Sequence, residues 1–562
     1  MKTILHYRNS KIIHIAFISI LTFLLIIPFY KKAYHIDDPL FIWTVQHILE
    51  NPIDFFGFSV NWYDYSMPMS QVMQNPPFFC YFLALIQTFF DSSETTLHLV
   101  LIIPAILSNI GTYLLASKYS KRPIFAAVFS LLTPVFLISS TTLMCDVLML
   151  AFWNWAIIFW ISGFNNDNSI KLIISVLLIS LCFLTKYFGI SLVPLLIVYS
   201  YFAKKKVSYK FLFFLLPIAV IILYQIVTFR LYHENLFLNA ANYALDFGDF
   251  ANETIYKNIF IGIAYMGGCF ATLLFFIPLI MKRKSIVFYI FIYVFIVIVS
   301  ILFLKRLNFF LVSNVDGPKM LYILELSLFT IIGVIIVHLS VVDFWQSKSS
   351  FSLLLLLWII GTLVFSIIIN WCTNGRSFLP MLPALAIIIS RKISKIDQLT
   401  RATQIWCIAL SFILSAVLSI LVTISDYNLA NINRQVAHDI VREYKNATRT
   451  IWFQGHWGFQ YYMEEYGAKS VDIPSMLIAP NDILIIPLNN TSTRFIRARE
   501  LHFIKKIEKK SLLWISTMNV RSGAGFYSSL TGPLPFVFGN IHPEEYLVYT
   551  TNCPIRFIAV GR

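Results

Sequence analysis

Four stretches of about 20 apolar residues without a charged side chain most constrain how this chain folds. They cover residues 259–281, 286–304, 351–370 and 403–425. Because about 20 apolar residues cross the hydrocarbon core of a bilayer, each stretch predicts a transmembrane helix. Charged residues make up 13% of the 562 residues, against about 25% in soluble proteins. We therefore predict an integral membrane protein, which excludes a disordered, a disulfide-linked secreted or a nucleic-acid-binding protein.

Nine shorter or weaker apolar segments raise the predicted number of transmembrane helices to thirteen. The first follows Lys2, Arg8 and Lys11, and we interpret it as a signal anchor because no A-x-A-like cleavage site follows it. Residues 77–90 are apolar but too short to cross, so they are predicted to lie along the membrane interface. The nine segments are 12–29, 97–116, 123–138, 147–162, 170–185, 187–203, 211–229, 320–342 and 377–390.

Basic residues test this count, because the cytoplasmic loops of membrane proteins are enriched in Lys and Arg. With a cytoplasmic N-terminus and thirteen spans, the basic clusters all fall in cytoplasmic loops, so we interpret the net charge of +15 as a signal of topology. Residues 1–425 are then the membrane domain, with an outer-face loop over 30–96. The clusters are Lys118, Lys121 and Arg122; Lys204, Lys205 and Lys206; Lys282, Arg283 and Lys284; and Arg391, Lys392, Lys395 and Arg401.

Residues 426–562 differ in composition from the rest of the chain and are predicted to lie on the outer face. They combine mixed charge, Gly and Pro with alternating runs that are typical of strands. The pattern predicts a small soluble α/β domain. Its predicted elements are a helix near 432–446, a short helix after Gly455, and strands near 449–454, 483–488, 511–517, 546–551 and 555–560.

Two adjacent carboxylates, Asp37 and Asp38, follow the first predicted span. They are suited to act as a general base or a metal ligand at the bilayer surface, where partial burial raises the pKa of a carboxyl group. They also precede Pro39 and an amphipathic run over 40–49, so either side chain could simply cap a helix. The residues alone leave both interpretations open.

Three further charged residues are predicted to lie on the same outer face. Asp146 stands in apolar sequence at the outer end of its span, where an unpaired charge is costly; the alternative is an ordinary residue at the water boundary. Lys186 and Arg376 are suited to hold a phosphate, Arg through its planar fork and Lys as a point charge. The alternative for both residues is that the apolar part of the side chain lies along the lipid while its charged end reaches water.

In the C-terminal domain, His456 and Trp457 belong to a compact aromatic turn over 455–462. Such a turn can stack on a sugar ring, and the alternative is packing inside the domain. The chain contains no P-loop, no G-x-S-x-G and no H-E-x-x-H motif. Nucleotide hydrolysis and the commonest hydrolase and protease chemistries are therefore excluded.

Taken in order, these outer-face residues resemble the GT-C glycosyltransferases. In particular, they resemble the family 39-like group of dolichyl-phosphate-mannose protein mannosyltransferases and aminoarabinose transferases. Asp37, Asp38 and Phe41 match a pattern like Asp-Glu-x-x-Tyr after the first span, with Asp38 in place of Glu. The other matching residues are Asn75 before Pro76 and Pro77, where the family more often has His or Lys; Asp146 in a pattern like Asp-x-x-Leu; Leu184, Thr185 and Lys186; and Arg376, Phe378, Pro380 and Pro383.

The resemblance covers residues 1–425 and implies a function for the outer face. It implies transfer of a sugar from a polyprenyl-phosphate donor, with inversion at the anomeric carbon, to a lipid, glycan or protein acceptor. Asp37 would be the base, Asp38 and Asp146 would orient the acceptor or a metal, and Lys186 and Arg376 would hold the donor phosphate. The use of a divalent cation stays open, and no nucleotide cofactor is expected. A bacterial inner or plasma membrane is the implied location, with the C-terminal domain outside the cytoplasm.

Two other functions also fit a polytopic chain with basic inner loops. A transporter or flippase for lipid-linked sugars predicts ionisable groups near the middle of the spans, whereas the charged candidates here lie at one boundary. A polysaccharide polymerase or ligase shares the lipid-phosphate chemistry, and the acidic pair argues against it only mildly. Both remain alternatives to the transferase.

Overall fold

The computed structural model describes residues 2–247, 252–303, 319–395, 401–444, 449–473, 477–493, 501–511 and 514–556. Parts of two predicted strands, 512–513 and 557–560, lie outside the described residues. Within the described residues, helices dominate up to residue 444 and strands dominate from residue 449 onward. The chain is therefore a polytopic helical membrane protein with a C-terminal α/β region, as its sequence predicts.

All thirteen predicted apolar segments are helical, but fewer form long uninterrupted helices. Within the described residues, nine helices are long and apolar enough to cross a membrane, and a pair bent by 64° at Pro134 would make ten. The segment Ser169–Thr185 falls just short in length, and Pro278 and Pro380 lie in the other two interrupted segments. The nine are Ser10–Phe29, Glu94–Ser117, Asp146–Asn165, Tyr187–Lys204, Tyr209–Tyr232, Arg283–Ile301, Met320–Ser347, Ser350–Ile369 and Ala402–Tyr444.

The outer-face loop over 30–96 is folded. The helix Phe78–Phe89 has 12 residues, too few to cross a bilayer. Phe89 is 73% exposed beside other exposed apolar side chains, which fits the predicted position along the interface. The loop also contains the helices Asp38–Glu50 and Met69–Val72 and a hairpin of Ser59–Asn61 with Ser66–Pro68.

The candidate site residues and the basic clusters lie at opposite ends of the helical bundle. The segment that runs through Gly375–Met381 and Leu382–Ile393 joins the two ends. At its start, Nη1 of Arg376 lies 3.7 Å from Oδ2 of Asp146. At its end, Nε of Arg391 donates to the carbonyl oxygen of Tyr119 at 3.2 Å, close to the first basic cluster. This sorting agrees with the predicted topology, while the orientation in a membrane stays a prediction.

Reporter fusions test that orientation. We expect fusions in the basic loops to report a cytoplasmic position and fusions beside the site to report an outside position, because each span reverses the chain. An outside signal at Lys206 would contradict the thirteen-span topology. The cytoplasmic positions follow Arg122, Lys206, Lys284 and Arg401, and the outside positions follow Pro52, Asn242 and Asn481.

The last membrane helix continues far beyond its apolar part. Arg401–Tyr444 is one helix of 44 residues, and we call it the long helix. The sequence predicted a separate helix near 432–446 after a boundary at 425. That separation is wrong because the long helix contains neither Gly nor Pro, so nothing interrupts it where the composition becomes polar. The last membrane helix therefore continues without a break as far as Tyr444.

The C-terminal domain contains a five-stranded mixed sheet, and its helix Trp457–Glu465 follows Gly455 as predicted. The strand Leu501–Lys509 was not predicted, because its charged residues interrupt the apolar alternation. It lies at the edge of the sheet, where charged side chains prevent pairing with other chains. In spatial order the strands are Lys469–Ser470, Ile451–Phe453, Ile483–Pro487, Glu544–Thr551 and Leu501–Lys509.

Candidate active site

A cavity of about 1200 Å³ lies where the helical bundle, the outer-face loop and the C-terminal domain meet. Of the described residues that line it, three are charged, and all three were predicted as site residues: Asp37, Lys186 and Arg376. Asn75 and Trp457 also line the cavity. Residues far apart in sequence therefore converge on one space.

Arg376 is the centre of the charged cluster. Its Nη2 donates to Oδ2 of Asp37 at 3.2 Å, and its Nη1 lies 3.7 Å from Oδ2 of Asp146. The residue stands in a 3₁₀ helix whose N-terminus is capped by the side chain of Asn374. With 13% of its side chain exposed, the guanidinium is fixed between two carboxylates while it still borders the cavity.

Lys186 and Asp146 form the second ion pair, with 2.5 Å between Nζ and Oδ1. Asp146 is buried at the start of the helix Asp146–Asn165, so the helix dipole also favours its negative charge. Lys186 follows the helix Ser169–Thr185 in an extended conformation and lines the cavity. Both cations thus hold buried or half-buried partners instead of extending along the lipid, and Asp146 is not an ordinary residue at the water boundary.

The two members of the acidic pair have different surroundings. Asp37 stands at the N-cap position of the helix Asp38–Glu50, but its side chain makes no capping hydrogen bond and borders the cavity instead. Asp38 is buried, and its Oδ2 accepts the backbone N–H of His35 at 2.8 Å, which is not a helical N–H. Burial raises the pKa of Asp38 to about 7. The capping interpretation is therefore wrong for both side chains.

The cluster combines a base with donors for an anion. Arg has five N–H donors and Lys has three, more than their carboxylate partners use here. An anionic group in the cavity can therefore bind Arg376 and Lys186 while both ion pairs persist. Asp37, with 36% of its side chain exposed, can accept a proton from a hydroxyl group beside that anion.

His456 and Trp457 lie differently although they are adjacent. Trp457 lines the cavity. His456 is 3% exposed, its Nδ1 lies 2.8 Å from Oε1 of Gln460, and its ring packs against Trp62. Burial lowers the pKa of His456 to about 4, so the ring is neutral at pH 7. The packing alternative fits His456, whereas Trp457 borders the cavity.

The sequence left open whether the site uses a divalent cation. In the part of the chain that the structure describes, no group of three His, Cys, Asp or Glu side chains converges to hold a metal ion. Asp37 and Asp146 approach each other only through Arg376, whose guanidinium occupies the space between them. A metal at this point would compete with Arg376.

A buried polar network beside the cluster was not predicted. Nζ of Lys32 donates to Oδ2 of Asp426 at 2.5 Å and to Oγ1 of Thr142 at 2.8 Å. The Tyr527 hydroxyl donates to the same Asp426 oxygen at 2.8 Å, and Tyr527 lines the cavity. One feature of the sequence could have indicated this network. Lys32 and Asp426 closely follow the first and last predicted spans, where a charged side chain is costly unless it is paired.

Two solved structures of membrane enzymes are similar to the chain. The first is the archaeal oligosaccharyltransferase AglB from Archaeoglobus fulgidus, in complex with an inhibitory peptide and a dolichol-phosphate. It has 13% identity and a TM-score of 0.49 over 83% of this chain and 64% of that chain. The second is ArnT from Cupriavidus metallidurans bound to undecaprenyl phosphate, with 12% identity and a TM-score of 0.41 over 85% of this chain and 93% of that chain. The chain thus spans less than two thirds of the AglB length.

No curated protein matches the chain. Residues 74–243 match the family model of dolichyl-phosphate-mannose-protein mannosyltransferase. The matched segment includes Asn75, Asp146 and Lys186 of the predicted site. The match confirms that the chain resembles the membrane glycosyltransferases of the dolichyl-phosphate-mannose-protein mannosyltransferase group, as the order of its charged residues indicated.

Proposed function

We propose that the chain is a membrane glycosyltransferase that moves a sugar from a polyprenyl-phosphate donor to an acceptor on the outer face. One observation carries the proposal: the cavity joins the charged cluster of Asp37, Lys186 and Arg376 to an apolar arm among membrane helices. A donor with an anionic phosphate and a long apolar tail matches both parts. The family match over residues 74–243 supports the same class of reaction.

The apolar arm is lined by two facing helices. Pro194, Leu195 and Val198 belong to Leu192–Lys204, and Leu357 and Gly361 belong to Ser350–Val364. A Cβ atom added to Gly361 would have no heavy atom within 4 Å, so the arm has open space at that position. An isoprenoid tail needs such an apolar channel between helices, with access from the lipid.

The charged cluster supports a single displacement with inversion. Asp37 accepts the proton of the acceptor hydroxyl while the hydroxyl oxygen forms a bond to the anomeric carbon. The bond between that carbon and the phosphate oxygen breaks, and Lys186 and Arg376 stabilise the negative charge that develops on the leaving phosphate. Asp146 fixes both cations. Asp38, which does not line the cavity, supports the backbone before Asp37 through the N–H of His35.

The outer arm of the cavity is suited to the acceptor. It is lined by Trp62, Tyr63 and Trp457 together with the hydroxyl groups of Thr491 and Ser492. Aromatic faces stack on the apolar faces of sugars, and hydroxyl groups bond to theirs. We assign acceptor contact to Trp457, and the acceptor classes are a lipid, a glycan or a protein that presents a hydroxyl group.

Mass analysis of lipid-linked sugars tests the donor. Cells without the gene should accumulate a polyprenyl-phosphate sugar that wild-type cells consume. The Gly361→Phe variant should fail to restore consumption, because its side chain fills the apolar arm, whereas Gly361→Ala should restore it. Equal pools of lipid-linked sugar with and without the gene would contradict the proposed donor. Full rescue by Gly361→Phe would remove the arm from donor binding.

Transfer by purified protein in detergent distinguishes a transferase from a transporter or flippase and from a polymerase or ligase. A micelle has no second leaflet, so a transporter or flippase has no product there, whereas a transferase still moves labelled sugar to the acceptor. A polymerase would give products that differ by several repeating units, and a transferase adds one sugar. Absence of any labelled product from folded, monodisperse preparations would favour the transporter.

A further inference from the structure

One segment of the C-terminal domain, residues 514–541, enters the helical bundle beside the cavity, and we call it the inserted segment. The backbone N–H of Gly375 donates to the carbonyl oxygen of Phe526 at 2.6 Å, and that of Ser529 donates to Thr373 at 2.8 Å. The two bonds hold the backbone directly before Arg376. The Phe526 ring also lies against Gly375, where an added Cβ would come within 2.5 Å of it.

The inserted segment is anchored to membrane helices at further points. The hydroxyl of Tyr265 lies 2.6 Å from the carbonyl oxygens of both Gly525 and Gly532, which share its single O–H. The backbone N–H of Phe538 donates to Oε1 of Glu325 at 3.1 Å. These bonds come from two different helices, so the position of the segment is fixed relative to the bundle.

Tyr527 extends from this segment into the charged cluster. The Cζ atom of Arg376 lies 5.5 Å from the centre of the Tyr527 ring, within the range of a cation–π contact. The Tyr527 hydroxyl donates to Oδ2 of Asp426 at 2.8 Å and lies 3.2 Å from Oγ1 of Thr142. One side of the ring thus faces the guanidinium, and the hydroxyl fixes the ring in place.

We propose that Tyr527 is a positioning residue that holds Arg376 in the orientation needed for donor binding, so that the C-terminal domain completes the active site. The part of this inference that concerns donor binding rests on the proposed function. The guanidinium must keep its fork between Asp37 and Asp146 while one edge remains open to the cavity. The Tyr527 ring limits the rotation that would break this arrangement, and it covers the guanidinium from water.

Three variants test the proposal. Tyr527→Leu removes the ring and the hydroxyl, Tyr527→Phe keeps the ring, and Tyr546→Leu is the matched control. Tyr546 is a buried tyrosine of the same domain whose hydroxyl donates to Asn433 of the long helix at 2.7 Å, and it does not line the cavity. Loss of folded protein lowers the maximal rate but leaves KM unchanged, so KM reports positioning.

We expect Tyr527→Leu to raise the donor KM by about 10-fold to 100-fold, the scale on which misplaced groups act, with the acceptor KM unchanged. Tyr527→Phe keeps the ring but loses the hydrogen bond to Asp426, so it should raise the donor KM less than Tyr527→Leu. Tyr546→Leu should leave both KM values unchanged. Modification of Arg376 by phenylglyoxal, followed by mass spectrometry, should be faster in Tyr527→Leu than in the other proteins. This measurement does not depend on any transferase activity.

An unchanged donor KM in Tyr527→Leu would overturn the positioning role. Equal effects of Tyr527→Leu and Tyr546→Leu on KM and on Arg376 modification would also overturn it, because Tyr527 would then act only in domain docking. If the wild type transfers no sugar, the proposed function fails. The rate of Arg376 modification would in that case still decide whether Tyr527 shields and orients Arg376.

Discussion

Transfer should fall by about 100-fold to 10,000-fold when Asp37 is replaced by Asn, because a positioned general base contributes about that factor. The amide is nearly isosteric with the carboxylate but cannot accept the acceptor's proton at neutral pH. The Asp37 side chain caps no helix, so the substitution should leave the amount of folded protein unchanged. The initial rate of transfer in membranes with matched protein levels measures the effect.

Glu50→Gln is the control for Asp37→Asn, because Glu50 is exposed at the other end of the same helix. Asp38→Asn should have a smaller effect than Asp37→Asn, since Asp38 is buried away from the cavity. If the acidic pair instead binds a metal, both variants should be equally impaired, and Mg²⁺ or Mn²⁺ should restore chelated wild-type protein. Full activity of Asp37→Asn would show that Asp37 is not the base.

Replacing Arg376 with Met should lower transfer by about 100-fold to 1000-fold, the loss found when a donor to a developing negative charge is removed. The structure adds that Arg376→Lys should rescue little. A single ammonium group cannot reproduce the fork that faces both Asp37 and Asp146. Rates measured over a range of donor concentrations separate weaker binding from slower chemistry.

Lys186→Met should also impair use of the donor, but less than Arg376→Met. In Lys186→Met, Arg376 still pairs with both Asp37 and Asp146 and keeps its fork for an anion, whereas Arg376→Met leaves Asp37 without its partner. Lys206→Met is the matched control, because Lys206 is exposed in a loop at the opposite end of the bundle. Normal turnover in both site variants would remove the two cations from donor binding.

The sequence predicted the membrane helices well because an apolar run of 20 residues is a local property. It predicted fewer interruptions than the structure has. The helix Asn252–Cys269 ends inside one apolar segment and Pro380 lies in a 3₁₀ helix inside another, and whether an apolar run continues as one helix depends on packing. It also missed the strand Leu501–Lys509, whose place in the sheet depends on Glu544–Thr551 and not on its own pattern.

The sequence predicted that Asp37, Asp146, Lys186 and Arg376 lie on one face, and in the structure their side chains form one cluster. It could not say which charges pair. The partners Lys186 and Asp146 are 40 residues apart, and Arg376 and Asp37 are 339 apart. The contact of Tyr527 with Arg376 was not predicted for a related reason: the aromatic run over 523–527 favours packing inside the C-terminal domain and carries no sign that its ring reaches the charged cluster.

The long helix has a mechanical consequence. At about 1.5 Å per residue its 44 residues extend about 66 Å, roughly twice the thickness of the hydrocarbon core. It carries Asp426 of the buried network and, two turns later, Arg434, which pairs with Glu94 of the outer-face loop. Within Arg401–Tyr444 the long helix contains neither Gly nor Pro, so we expect it to act as a rigid spacer between the membrane part and the C-terminal domain. Under the proposed function, acceptors would then be selected by reach, because a hydroxyl group must come as far as Asp37 to be used.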